Sequence, residues 1–318
     1  MKSYLDFSCT DEGVLTRNGE RIDLKFIERK KNPADASVII SHYQTTHTLR
    51  NAVESALAQK GAKIELIVVD DGTPGDDFKR VTDEFSNQPF FTRAALQNNS
   101  HATVSRNLAI HLANSDFIVP LDADDEIIGD DAVSSLIRHF RSGTHAVFAS
   151  TNMVGDISGD ITEEDDISWV RSLPTIKGSE VDKKFEGREL YVRETRDYSL
   201  WELLEYDYNI GLRLFPKQLL SAIGGLDESL GTQCWYNAIL ELRTMGTFVP
   251  VKENSYLYRI HGKNVSTQQT PQRLTAVQAF LVRFFEKHHI TYQELLAHCS
   301  ETFWKVRGIK LEHFNSID

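Results

Sequence analysis

Three short apolar runs each end in a polar cluster, and this repeated pattern constrains the fold more than any other feature of the chain. Ser37-Val-Ile-Ile40 leads into Ser41-His-Tyr43, Ile64-Glu-Leu-Ile-Val-Val69 into Asp70-Asp71-Gly72, and Asp116-Phe-Ile-Val-Pro-Leu121 into Asp122-Ala-Asp124-Asp125. Runs of this length, rich in β-branched residues, predict buried strands. Helical stripes lie between them: Ala52, Val53, Ala56 and Leu57 share one face, as do Val104, Leu108, Ala109 and Leu112, and a further helix is expected over Asp76–Phe85. Strands alternating with helices predict an α/β fold, a mostly parallel sheet with helices on both faces. In an open sheet of that kind, ligands sit beyond the carboxyl ends of the strands, where all three polar clusters fall.

The third cluster is the most demanding. Asp122, Asp124 and Asp125 place three carboxylates in four positions at a strand end. Like charges so close repel, and burial raises the cost. A hard divalent cation that also holds phosphate oxygens is the natural counter-charge.

The rest of the chain frames this region. Val14 to Ile22 carries Asn18-Gly19 between partly apolar stretches, a hairpin signal, and Glu28-Arg-Lys-Lys-Asn-Pro33 reads as a polar linker. A helix over Asp131–Phe140 with a stop at Gly143, and a strand over Ala146–Ser150, extend the alternation. Residues 151–198, with the acidic run Glu163-Glu-Asp-Asp166, predict a loop-rich insertion. Beyond it are expected a helix near Ser199–Glu205, a strand near Gly211–Phe215, a helix opened by Pro216 and closed by Gly224-Gly225, and a helix over Thr232–Met245. A helical tail from Pro271 to about Phe314 carries a capping box at Thr291-Tyr-Gln-Glu294. The expected organisation is an N-terminal extension (1–35), a main domain (36–266, with halves 36–150 and 151–266) and a C-terminal helical segment (267–318).

Composition narrows the partners. The 318 residues are 41% hydrophobic and 25% charged, ordinary for a globular protein. A formal net charge of −11 argues against a nucleic-acid partner, which needs a basic face. Cys9, Cys234 and Cys299 are odd in number and far apart, so neither a disulfide framework nor a cysteine metal site is expected. No apolar run approaches the roughly 18 residues of a membrane span, and the N-terminus has no signal-peptide core. These points predict cytoplasmic residence and leave a peripheral membrane contact open. His42, His47 and His101 lack metal-ligand spacing and are read as surface or loop residues.

Five segments taken together resemble the family 2 glycosyltransferases of GT-A fold. They are Ser37-Val-Ile-Ile-Ser-His-Tyr43, Ser55-Ala-Leu-Ala-Gln59, Glu65-Leu-Ile-Val-Val-Asp-Asp-Gly-Thr73, Ser105-Arg-Asn-Leu-Ala-Ile110 and Leu121-Asp-Ala-Asp-Asp125. Gly224-Gly-Leu-Asp-Glu228 and Tyr258-Arg-Ile-His-Gly-Lys-Asn-Val-Ser266 continue the likeness, which covers roughly residues 36–266. The resemblance implies a nucleotide-diphosphate sugar donor, a UDP-sugar by preference, and transfer with inversion to a glycan, lipid-linked or protein acceptor. By the same resemblance Tyr43 packs on the base, Asp71 accepts from a base N–H and Ser41 lines the pocket. Asp122 and Asp124 form the DxD motif: Asp122 faces the ribose or sugar, and Asp124 holds Mn²⁺ or Mg²⁺. Asp125 supports from behind, and His261 matches a further metal or phosphate contact. Arg106 either reaches the donor or belongs to a solvated helix face. A divalent cation suits this chemistry because cleavage of the sugar–phosphate bond develops charge on a diphosphate leaving group.

The chain departs from the family pattern at one place. Relatives carry an acidic pair at the start of the helix after the Gly-Gly turn, and its Asp serves as base. Here Cys234 and Trp235 fall at that position. Asp227 or Glu228 takes that role, or a residue of the insertion does, or the acceptor needs no strong base, or transfer is impaired; a turn or cap role is the other reading of Asp227. Trp201, Trp235 and Tyr236 are candidates for stacking on a sugar, or for core packing. Three other readings compete. A sugar-1-phosphate nucleotidyltransferase would need a glycine-rich loop after the first strand, where Ser41-His-Tyr-Gln-Thr-Thr46 stands. A receiver-type domain would not explain Asp122–Asp125. A non-catalytic nucleotide-sugar-binding protein would explain the lost acidic pair. The C-terminal helices are candidates for homo-oligomer contacts or for capping the acceptor side.

Overall fold

A computed structural model describes residues 3–9, 15–157, 161, 167–205, 211–262, 264, 271–307 and 309. The acidic run 163–166, the chain beyond 309 and part of the 258–266 motif lie outside the described residues. Near the N-terminus β1 (Phe7–Cys9), β2 (Leu15–Arg17) and β3 (Glu20–Arg21) form a small antiparallel sheet. Asn18 and Gly19 both take positive φ, 51° and 82°, as the two-residue hairpin turn between β2 and β3 requires. β4 (Leu24–Glu28) follows. The alternating region then supplies β5 (Ala36–His42), α1 (Thr46–Leu57), β6 (Ile64–Asp70), α2 (Asp77–Asp83), β7 (Phe91–Leu96), α3 (Ala102–Leu112), β8 (Phe117–Asp122), β9 (Glu126–Ile127), α4 (Ala132–Ser142) and β10 (Ala146–Ile157). Further on come α5 (Ser168–Arg171), β11 (Thr175–Lys177), β12 (Glu189–Arg193), α6 (Leu200–Glu205), β13 (Arg213–Pro216), α7 (Lys217–Ala222), α8 (Cys234–Arg243) and β14 (Thr247–Ile260). The tail forms α9 (Pro271–His288), α10 (Tyr292–His298) and α11 (Glu301–Arg307).

One 11-stranded sheet organises the chain, in the order β11-β12-β10-β13-β8-β5-β6-β7-β4, with β14 beside β10 and β9 beside β14. The strands β8, β5, β6 and β7 are parallel neighbours. Their side chains alternate between two cores. Ile39, Ile67, Val69 and Ile118 face α3, α8 and the tail helices, whereas Val38, Ile40, Leu66, Val68, Val119 and Leu121 face α1, α2 and α4. On α1 the buried residues Leu49, Ala52, Val53 and Ala56 form the expected stripe, and burying Leu49 or Val53 contributes about 1.5–3 kcal/mol each. The tail is spent on the first core, through Phe280, Leu281, Phe284, Phe285 and Phe303. Its capping box is present: the backbone N–H of Glu294 donates to Thr291 Oγ1 at 3.2 Å, and that of Thr291 donates to Glu294 Oε2 at 2.8 Å.

The structure departs from the sequence reading in four places. β7 was not expected, because Phe91-Thr-Arg-Ala-Ala-Leu96 shows no alternation; both its faces are covered, and Arg93 is buried only because Glu28 and Asp83 neutralise it, at 2.8 and 2.7 Å. β4 was expected to be extension and linker, yet it pairs antiparallel with β7 at the sheet edge. The insertion 151–198 is less loop-rich than expected: β10 runs on to Ile157, and β11 and β12 add to the sheet. β14 was also not expected; its 14 residues run parallel to β10, with shifts in register.

Candidate donor-binding site

The parallel strands bring their carboxyl ends to one edge. Ser41 lies opposite both Val69 and Asp122, and His42 opposite Asp70. Alternation then decides which groups serve the ligand side and which the core. His42 and Asp70 point toward α2, where they are fully buried. His42 Nδ1 and Asp70 Oδ1 are 2.7 Å apart, Asp70 also accepts from Thr73, and Phe78 stacks on the imidazole. His42 is therefore not the surface residue the sequence suggested; it braces the turn after β6. His47 and His101 are exposed, as expected.

Asp71 sits one step further on, between two loops. The backbone N–H of Ser100 donates to its Oδ1 at 2.8 Å, and Asn99 Nδ2 donates to Oδ2 at 3.1 Å. Burial pushes its pKa up in spite of the Ser100 bond. Gly72 lets the loops meet: its φ is +81°, and a Cβ there would lie 2.4 Å from the Asn98 carbonyl carbon. Tyr43 stands beside this turn with 41% of its surface open, one of three exposed large hydrophobic residues among those described. Ser41 Oγ faces the same edge and shares a hydrogen bond of 2.6 Å with Ser105 Oγ on α3.

The carboxylates after β8 divide the work three ways. Asp122 takes a hydrogen bond of 3.0 Å from Arg106 Nη2 on α3. Arg106 is thus a partly buried partner of Asp122 and not part of a solvated face. Its Nη1 also donates to Cys234 Sγ at 3.5 Å, and although burial opposes its charge, Cys234 and Asp122 raise its pKa overall. Asp124 Oδ2 lies 3.1 Å from His261 Nε2, at the end of β14, and both side chains keep about a quarter of their surface open, 24% and 22%. Asp125 is fully buried, accepting from Tyr256 Oη at 2.5 Å and from the Arg259 N–H at 2.9 Å. Burial, then Asp124 and Asp122, push its pKa well up. Two segments distant in sequence therefore meet at Asp124–Asp125, where β14 supplies Tyr256 and Arg259 and the residue just after it is His261.

Among the described residues no group of three or more His, Cys, Asp or Glu side chains stands at metal-binding distance. Asp124 and His261 converge as two partly open donors. That set suits a cation whose remaining positions are filled by phosphate oxygens and water, in the manner of Mg²⁺ and Mn²⁺ at nucleotide sites.

Asp227 and Glu228 are engaged elsewhere. Asp227 caps the 3₁₀ turn Glu228–Gln233, accepting from the Ser229 N–H at 2.9 Å, and it accepts from Tyr4 Oη at 2.8 Å. Burial works to raise its pKa, but the bonds from Ser229 and Tyr4 outweigh it and the pKa falls. Glu228 is held by Arg17 and by Asn107. Trp235 and Tyr236 lie in the core, and Trp201 stacks on His298 at 4.5 Å. Tyr256 and Arg259 join the site without having been singled out, since they belong to a strand whose partners are set by long-range pairing.

The profile described as "Glycosyl transferase family 2" matches residues 37–204. The chain belongs to this family. Among curated relatives it is 24% identical over 234 residues to chondroitin synthase of Escherichia coli, covering 73% of this chain and 30% of that protein. It is 22% identical over 234 residues to hyaluronan synthase of Pasteurella multocida, covering 73% of this chain and 21% of that one. The chain therefore spans less than a third of the length of either. In fold it is similar to S. aureus TarS 1-349 in complex with UDP-GlcNAc, with TM-score 0.59, 14% identity and coverage of 87% of this chain and 77% of that one. It is also similar to the mannosyltransferase PcManGT from Pyrobaculum calidifontis in complex with GDP-Man and Mn²⁺, with TM-score 0.53, 12% identity and coverage of 91% and 73%. The GT-A architecture expected of the family is the architecture observed. Among the described residues, no helix is long and apolar enough to cross a membrane.

Proposed function

We propose that this chain is a metal-dependent glycosyltransferase that moves a sugar from a UDP-sugar to a glycan, lipid-linked or protein acceptor with inversion. The observation that carries the reading is the convergence of Asp122, Asp124 and His261 at the strand edge that also bears Tyr43 and Asp71. Tyr43 offers an open aromatic face for the base, and Asp71, fixed by the Ser100 N–H, accepts from it. Ser41 lines the floor. Asp122, steadied by Arg106, faces the ribose or sugar. Asp124 and His261 would hold Mn²⁺ or Mg²⁺, which when bound neutralises charge developing on the diphosphate. Asp125 keeps the Asp124 turn and β14 in register through Tyr256 and Arg259. Cytoplasmic action belongs to this reading and is supported by the unpaired thiols of Cys234 and Cys299.

A second reading, a donor-binding protein without transfer, is favoured by one observation: Cys234 and Trp235, at the position of the relatives' acidic pair, are both buried. Calorimetry with a panel of nucleotide sugars, in Mn²⁺ and in chelator, tests the donor site. Metal-dependent binding of one donor supports it, and no binding across the panel defeats it. Release of UDP from that donor, with or without acceptor, separates the transferase from the binding protein.

A further inference from the structure

Where the family pattern would put an acidic pair, this chain gathers positive charge. Arg106, on α3, reaches Asp122 and Cys234. Arg213, the first residue of β13, comes to the same side of the sheet. β13 runs antiparallel to β8 with Phe215 opposite Ile118, so the register carries Arg213 abreast of Pro120, one step along the same face from Asp122. Its Cζ lies 5.7 Å from the centroid of the Trp235 ring. Its charge is also felt by Tyr256, together with those of Asp125 and Asp122.

Arg213 is only 4% exposed, yet its Nε is sealed from solvent without a hydrogen-bond partner. Among the described residues no carboxylate forms an ion pair with it, and its guanidinium lies over the Trp235 ring. Of the other two buried arginines among the described residues, Arg93 is neutralised by Glu28 and Asp83, and Arg307, which also lies over a ring, at least donates its Nε to the Leu204 carbonyl at 3.3 Å. A desolvated cation without a counter-charge is costly, because ring contact replaces only part of its hydration. Asp122, one step along this face, is taken by Arg106 and forms no ion pair with Arg213. In the transferase reading the diphosphate is met through Asp124 and His261.

We infer that Arg213, on the sheet face to which Arg106 also contributes, forms an anion subsite that takes an acid group, carboxylate or phosphate ester, carried by the acceptor. The planar fork of a guanidinium suits either group. The inference rests on the transferase reading above, and it makes the substitution of the acidic pair intelligible: a carboxylate at 234 or 235 would occupy the charge that the acceptor brings.

The test uses the full chain with UDP and Mn²⁺, and three probes of one ring: methyl β-glucoside, methyl β-glucuronide and methyl β-glucoside 6-phosphate. Binding is read by ligand-observed NMR titration. The expected result is that at least one acid probe binds tenfold or more tighter than the neutral one, the stronger of the two naming the acid. R213Q is expected to lose that preference, by about 10- to 100-fold for a charge-assisted contact, with unchanged affinity for UDP and no fall in Tm. R213K is expected to restore part of it. Equal binding of acid and neutral probes overturns the inference. So does an R213Q chain whose Tm falls while the preference survives, since Arg213 would then be a structural cation. Failure of UDP to bind defeats the transferase reading alone, because the acid probes can be titrated without nucleotide and still decide the subsite.

Discussion

Replacing Arg106 by Met is expected to cost about 2 kcal/mol of stability, and the figure follows from the burial of its pair. Arg106 is 16% exposed and Asp122 is 34% exposed, so the pair lies between two regimes. Exposed pairs contribute about 0–1 kcal/mol, whereas leaving one charge of a fully buried pair alone costs about 3–5 kcal/mol. Asp122→Asn retains an acceptor oxygen for Arg106 Nη2 and is expected to cost about 1 kcal/mol. If the two side chains act through each other, the double variant R106M/D122N costs about 2 kcal/mol rather than 3, a coupling of about 1 kcal/mol. Urea unfolding followed by tryptophan fluorescence, at pH 7 in chelator so that no cation holds Asp122, measures all four corners of the cycle. Additivity to within about 0.3 kcal/mol would refute the bracing argument, and with it the reason for placing Asp122 rigidly at the sugar.

Three further outcomes are expected. Asp124→Ala should abolish the Mn²⁺-dependent part of nucleotide-sugar affinity with little change in Tm; unchanged affinity in calorimetry removes Asp124 from the metal. Burial, then Arg29 and Lys217, hold the His111 pKa down at about 4. The unfolded chain therefore binds this proton below about pH 6.5 while the folded chain refuses it, so stability present above that pH is lost as pH falls toward 4, with a slope of up to about 1.4 kcal/mol per pH unit. Denaturation at pH 7.5 and 5 should show H111N flattening this dependence, and an unaltered slope removes His111 as its source. Asp227→Asn should lower stability by about 1 kcal/mol through the weakened cap and leave turnover within a few-fold; a hundredfold loss in a folded variant restores Asp227 as the base.

Much of the strand edge was legible because the signals are local. A β-branched run closed by Asp-Asp-Gly predicts a strand and a turn whatever the partners, and the Asn18-Gly19 and Thr291–Glu294 signatures need only their own neighbours. Elements held by distant partners were not legible. β7 reads as broken by a charge until Glu28 and Asp83 are brought to Arg93, and β14 carries little period-two pattern because its register against β10 shifts.

The same division runs through the site. The sequence by itself determined that three carboxylates crowd a strand end, that Tyr43 and Asp71 follow two strand-like runs, and that Cys234-Trp235 stands where the family resemblance would put an acidic pair. Only the tertiary structure decided which way each group points. Alternation along β5 and β6 turned His42 and Asp70 into the core, pairing of β10 with β14 brought His261 to Asp124 and Tyr256 to Asp125, and the antiparallel run of β13 carried Arg213 beneath Trp235. Side-chain identity fixes what a residue can do chemically, but its partner is set by strand register, and register is a property of the whole sheet.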